Sequence, residues 1–314
     1  KNTDKINKFS KTKIVRIPEE EDLLEYDSDI SKLIDIFFEN TKKKFDVLFL
    51  AGDIANRNIS TLIALKHLSK YWRTIYVCAG NHDYYHQEKL PLDPDSEEYQ
   101  RQSMIMSDDK IGIVLDRYKD LKLAIEGEEL VEDIKCIFTN VDFSGVNILD
   151  DTFEDVIKIP NQNSSEQPIR VGINTMFYDI RVPDTRIQFL FMMNDSRFIT
   201  EEQAKELHED GIEYYQNVKD KCDIFISHVP LIPKSKREKE SPYYVRIPNL
   251  NNKIFYLSGH THFRGELNMN NCRGYSVSAG YPGDTKRFGN VDINDQMRIF
   301  AVTQDSSGKF IVEL

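Results

Sequence analysis

The sequence has no run of about 20 apolar residues, the length a membrane-spanning helix needs. Its longest apolar runs, such as Val47 to Ala51, have the length of a strand. No two of its four cysteines, Cys78, Cys136, Cys222 and Cys272, form a C-x-x-C pair, which removes the usual zinc-finger spacing. Each cysteine sits in or beside an apolar run, so reduced, mostly packed thiols are expected. With no signal peptide visible, a reducing, cytoplasmic setting is the expectation. No internal repeat and no Pro/Gly-rich linker divides the chain, so residues 1–314 are expected to form a single domain. No tract interleaves basic and aromatic residues, and the formal net charge is −11, which disfavours nonspecific binding to a polyphosphate backbone. What these absences leave is a globular chain, and its 40% hydrophobic and 30% charged residues exclude a disordered one.

What is present is an alternation of helix and buried strand. Residues 29–43 place Ile30, Leu33, Ile34, Phe37 and Phe38 at helical spacing, with Ser28 or Asp27 as a cap. Residues 45–51 read as a buried strand ending in Gly52-Asp53, 58–72 as a second helix, and 74–79 as a strand ending in Gly80. Short strands are expected at 122–125, 129–131 and 135–139, and an inserted segment or cap at 151–193. A helix at 201–221 leads into strands at 223–227, 253–258, 274–279, 298–303 and 309–313. Such alternation predicts α/β layers.

Four polar clusters sit just beyond the C-terminal ends of four of these apolar runs. They are Gly52-Asp53 with Asn56, Gly80-Asn81-His82-Asp83, Ser227-His228, and Gly259-His260-Thr261-His262. Ligands of open α/β sheets gather beyond the carboxyl ends of the strands, so four strands can aim these side chains at one point. A carboxylate, a carboxamide oxygen and imidazole nitrogens form a mixed O/N donor set. It suits Mn²⁺, Fe²⁺, Zn²⁺ or Ni²⁺ better than Ca²⁺, which prefers oxygen throughout. Any one cluster alone also reads as a turn or an ordinary histidine; four together, each after an apolar run, are a site. Arg197 is read as a bidentate phosphate clamp or the partner of an acid, and His86 as a residue of the substrate pocket. His67 and His208 fall within helices and are read as packing or surface residues, and 234–240 as a solvated loop of mixed charge.

In this order the clusters resemble those of the calcineurin-like metallophosphoesterases. The resemblance extends to Tyr84-Tyr85, Met193-Asn194-Asp195-Ser196-Arg197 and Gly280-Tyr281-Pro282-Gly283, features of a bacterial and phage-type branch. It implies a four-layer αββα sandwich, two mixed β-sheets face to face with helices on both outer sides. It also implies two divalent metal ions. Asp53 would bridge them, Asn81, His228 and His260 would complete the second site, and His262 would bind the first. His82 would protonate the leaving oxygen, oriented by Asp83, and a small phosphate mono- or diester, or a nucleotide, would be hydrolysed. Two other readings are a non-catalytic binding or scaffold protein on the same fold, and a DNA nuclease.

The sequence departs from the family pattern in one place. An Asp-x-His after the first strand, which would supply two ligands of the first metal, is not found; the nearest match, Asp29-Ile30-Ser31, lacks His and reads as a first-turn acid of a helix. Either an upstream segment carries the motif or the first metal site is degenerate, and a chain that starts at Lys1 rather than Met favours the former as an expectation.

Overall fold

The computed structural model describes residues 20–38, 44–54, 58–84, 136–149, 153–160, 167–234, 241–278, 301–304 and 310–313. Helix α1 spans Glu20–Phe38 and turns Ile30, Ile34 and Phe38, one face at i, i+4 spacing, into the core. It starts nine residues before the expected 29, and Asp27, expected as a cap, lies inside it. There the Asp27 carboxylate accepts a hydrogen bond from Lys66 Nζ at 2.6 Å and lies 2.7 Å from His67 Nε2, both on α2, Asn58–Leu68. Helix α2 ends before the expected 72 because Ser69 to Tyr71 form a turn, and Trp72 opens a strand.

Strands β1 (Phe45–Ala51), β2 (Trp72–Cys78) and β3 (Val146–Ile148) form a sheet in that order. Among the described residues its pairings are parallel. At the N-terminal ends, Phe45 stacks on Trp72 and Phe38 on Tyr71, each with 4.7 Å between ring centroids. This aromatic plug fixes the β1–β2 register, which brings Ala51 opposite Cys78 at the other end.

The second sheet has six strands in the order β4-β5-β6-β7-β9-β8. They are β4 (Ile157–Ile159), β5 (Ile169–Asn174), β6 (Ile224–Ser227), β7 (Phe255–Ser258), β8 (Arg264–Met269) and β9 (Cys272–Val277). The run β5-β6-β7-β9 is parallel, and β4 and β8 are antiparallel edges. Residues 151–193, expected as an insertion or cap, supply β4 and β5 of this sheet. Helix α3 (Pro183–Phe191) and helix α4 (Glu201–Val218) follow β5. A reciprocal box starts α4: Thr200 Oγ1 accepts from Gln203 N at 3.2 Å, and Gln203 Oε1 accepts from Thr200 N at 2.9 Å.

Side-chain alternation sorts these parts into layers. Phe49, Ala51, Tyr76 and Cys78 point from the first sheet into one apolar cluster with Ile157, Val171, Ile173, Ile224 and Ile226 of the second. The intervening Leu48, Leu50, Ile75 and Val77 belong to the core that holds α1 and α2. On the far side, Phe225 meets Tyr215 of α4 edge-on at 5.2 Å. The result is the expected helix–sheet–sheet–helix sandwich. A two-stranded antiparallel sheet of β10 (Ala301–Gln304) and β11 (Phe310–Glu313) completes the described elements.

Other expectations divide. Residues 136–138 form a helical turn that buries Ile137 and Phe138, not the short strand expected at 135–139. The strands expected at 122–125 and 129–131, and most of the 234–240 loop, lie outside the described residues. Cys78, Cys222 and Cys272 are buried free thiols, and Cys136 is exposed. His67 and His208 are both buried packing residues. Among the described residues no helix is long and apolar enough to cross a membrane.

Candidate metal centre

The sandwich places two strand pairs side by side at one edge. Asp53 follows β1, Asn81 follows β2, His228 follows β6 and His260 follows β7. Two hydrogen bonds tie the sheets together here: His228 Nδ1 donates to Ala51 O at 2.7 Å, and Thr175 Oγ1 donates to Ala79 O at 2.8 Å. Two glycines let the loops meet. Gly52 has φ +73°, and a Cβ on it would lie 2.1 Å from Gly80 N. A Cβ on Gly80 would lie 2.2 Å from Asp53 Oδ1 and 2.7 Å from His228 Cε1. Asp53, His260 and His262 hold left-handed backbone conformations, with φ of 54°, 63° and 52°. For non-glycine residues that is strain, which persists where the surroundings impose it and gathers at functional sites.

The hydrogen bonds around the centre define its chemistry. His228 gives its Nδ1–H to Ala51 O, and His260 gives its Nε2–H to Pro242 O at 3.0 Å. With both rings neutral, the remaining nitrogens, His228 Nε2 and His260 Nδ1, face each other at 3.2 Å as lone pairs. Asn81 Oδ1 lies 2.8 Å from the first and 3.1 Å from the second, and Asp53 Oδ2 lies 3.3 Å from His228 Nε2. Four electron-rich atoms thus converge, an arrangement that calls for a cation among them. Asp53, His228 and His260 form the one group of three or more His, Cys, Asp or Glu ligands close enough for one ion among the described residues. The donor set therefore fits a divalent metal, and Asn81 Oδ1 lies among these atoms as a further oxygen donor.

The electrostatics agree. Burial opposes charge on Asp53, yet the His228 and His82 imidazoles outweigh it and hold the carboxyl well below the usual carboxylate range. Burial likewise opposes charge on His228, and Asp53 overcomes it, so this imidazole holds a proton more tightly than an ordinary histidine. His260 is pushed down to about 4 by desolvation and by the neighbouring His228. A cation bound among these atoms would compete with protons for the same lone pairs.

The remaining expected residues sort around this centre. The backbone N–H of His82 donates to Asp53 Oδ1 at 2.9 Å, which sets its half-buried imidazole beside the cluster. Desolvation holds the His82 pKa below its ordinary value. Asp83 is buried, and its Oδ2 accepts the backbone N–H of Gly80 at 2.7 Å and of Asp53 at 3.0 Å. It fastens both ligand loops, and burial pushes its carboxyl up to about 6. His262 lies outside the three-ligand group; its N–H donates to Ser278 Oγ at 3.0 Å. Arg197 closes a short 3₁₀ turn, Asp195–Arg197, and its buried Nε has no hydrogen-bond partner among the described residues. Asn56 and His86 lie outside the described residues.

Sequence reasoning missed two residues. Asp195 accepts from Asn81 Nδ2 at 2.9 Å, and the Tyr178 hydroxyl donates to its other oxygen. The motif containing Asp195 was visible, but nothing in its spacing joined it to Asn81, 114 residues earlier.

A family model described as calcineurin-like phosphoesterase matches residues 22–264. No curated protein matches the chain significantly. Among solved structures, a phosphopantetheinyl hydrolase from Mycobacterium tuberculosis is similar at 14% identity, covering 79% of this chain and 84% of its own, with a TM-score of 0.46. An overlap that loose carries no inference about substrate.

Proposed function

The chain belongs to the calcineurin-like phosphoesterase family, whose members depend on a dinuclear metal centre, and on that premise we propose that it hydrolyses a small phosphate ester. The observation that carries this reading is the convergence of Asp53, Asn81, His228 and His260 with their lone pairs turned inward. These four residues would hold one divalent ion of the Mn²⁺, Fe²⁺, Zn²⁺ or Ni²⁺ class, with Asp53 and His262 turned to a second. Ions bound there supply positive charge to the phosphate and lower the pKa of a coordinated water to roughly 7.

The chain's own groups do the rest. His82 carries the proton that the departing oxygen takes up, from a position set by its N–H bond to Asp53. Asp83 acts on geometry, holding the Asp53 and Gly80 backbones at their close approach. Arg197, Asn56 and His86 are the candidates for contacts to the phosphate or its substituent. The substrate is a phosphate mono- or diester, a nucleotide among the candidates.

The test is turnover of chromogenic phosphate mono- and diesters by full-length protein with Mn²⁺. Asp53→Asn is expected to abolish it, and His82→Ala to lower it by about 10²–10⁴-fold, the range of a general acid. Wild-type turnover in both variants overturns the assignment. Absence of bound metal together with absence of hydrolysis favours a binding module on the same fold.

A further inference from the structure

Asn81 can serve a cation through its oxygen alone, and its two ends differ by a half-turn that costs the side chain little. Without a cation, the neighbouring imidazole lone pairs at 2.8 and 3.1 Å would rather face its N–H₂ group. Something must therefore hold it in the opposite sense. Asp195 does so: its Oδ1 accepts from Asn81 Nδ2 at 2.9 Å, and a flipped amide would set oxygen against oxygen. Asp195 is itself anchored. It is fully buried, its other oxygen accepts the hydroxyl of the fully buried Tyr178, and its backbone carbonyl accepts the N–H groups of Phe198 and Ile199. The Tyr178 ring stacks on Phe177 at 4.3 Å and meets Phe189 of α3 at 6.2 Å. The turn between α3 and α4 thus reaches the metal centre through one carboxylate.

Resting on the metal reading above, we propose that Asp195, braced by Tyr178, is a positioning residue that fixes the Asn81 carboxamide with its oxygen toward the cation. Groups that orient metal ligands in this way are worth about 10–100-fold in metal affinity. The pair also has a chemical symmetry. In Asn81→Asp/Asp195→Asn the donor and acceptor change places, the net charge is unchanged, and residue 81 still turns an oxygen to the cation.

The experiment is isothermal titration of the full chain with Mn²⁺, alongside the visible absorption of bound Co²⁺, with circular dichroism melts to establish that each variant folds. Asp195→Asn is expected to weaken Mn²⁺ binding by about 10-fold or more and to alter the Co²⁺ spectrum. The exchanged double variant is expected to return affinity to the wild-type range. Wild-type affinity in Asp195→Asn overturns the proposal. Loss that the exchange does not restore assigns Asp195 to core packing and overturns it as well. A wild-type chain that binds neither ion overturns the metal reading itself, a failure distinct from the other two.

Discussion

At the scale of single residues, close approach and inward-facing lone pairs decide the site. Gly80 is needed for room: its backbone is not left-handed, but a methyl group there would strike Asp53 and His228. Gly80→Ala is therefore expected to cost about 1–3 kcal/mol, the usual penalty of overpacking, and to abolish Mn²⁺ binding in a titration. At Gly52 the positive φ also calls for glycine, whereas at Gly80 close approach alone does. Which residues converge was legible because four polar clusters each followed an apolar run. Their mutual orientation was not, since it depends on backbone carbonyls of Ala51 and Pro242 that no motif encodes. The Tyr178 hydroxyl belongs to the same invisible layer. Tyr178→Phe deprives a buried carboxylate oxygen of a donor, and a denaturant melt should show a loss of about 1–3 kcal/mol. An unchanged melt would mean that Asp195 does not depend on this bond.

Among the elements, legibility followed the pattern of hydrophobicity. Strand β1 was readable to its ends because seven residues of nearly unbroken apolar sequence sit between polar flanks. Strand β8 escaped notice because Gly265, Glu266 and Asn268 interrupt its apolar residues, the signature of an edge strand facing water. Helix α1 was misplaced because Asp27, read as a cap, lies inside the helix and pairs across to Lys66 and His67 of α2 instead. That pairing predicts a response to acid. Burial holds the His67 imidazole below its ordinary pKa despite Asp27, with Lys66 and Lys70 adding to the effect. The unfolded chain regains a value of about 6.5, so on acidification it takes up this proton before the folded chain does. The contribution of His67 is therefore full above about pH 6.5 and erodes below it. Asp27 has the same sign at lower pH. Burial raises its carboxyl, but hydrogen bonds from Lys66 and His67 bring it below the usual range, so its contribution fades as pH falls through that range. Melting temperatures of His67→Gln measured in steps from about pH 7 to 5 should fall less steeply than those of the wild type; parallel curves would remove His67 from this account.

For the whole molecule, the governing facts are a net charge of −11 and a centre where lone pairs meet. The first predicts that duplex DNA stays unbound at about 0.15 M salt, where fluorescence anisotropy should detect no complex. The second predicts that metal stabilises the fold. A ligand at 100 times its dissociation constant adds about 2.7 kcal/mol, so thermal melts in excess Mn²⁺ should lie above those in a chelator, and Asp53→Asn should erase the difference. The bonds from His228 to Ala51 O and from Thr175 to Ala79 O cross from one sheet to the other at this edge. Half of the donor atoms ride on each slab of the sandwich, so the pocket works as a gauge of their alignment. A slip of one slab along the other by even an ångström would pull an oxygen pair away from a nitrogen pair. Warming or mutating the distant interior should thus be felt as weakened ion capture before any helix or strand is lost.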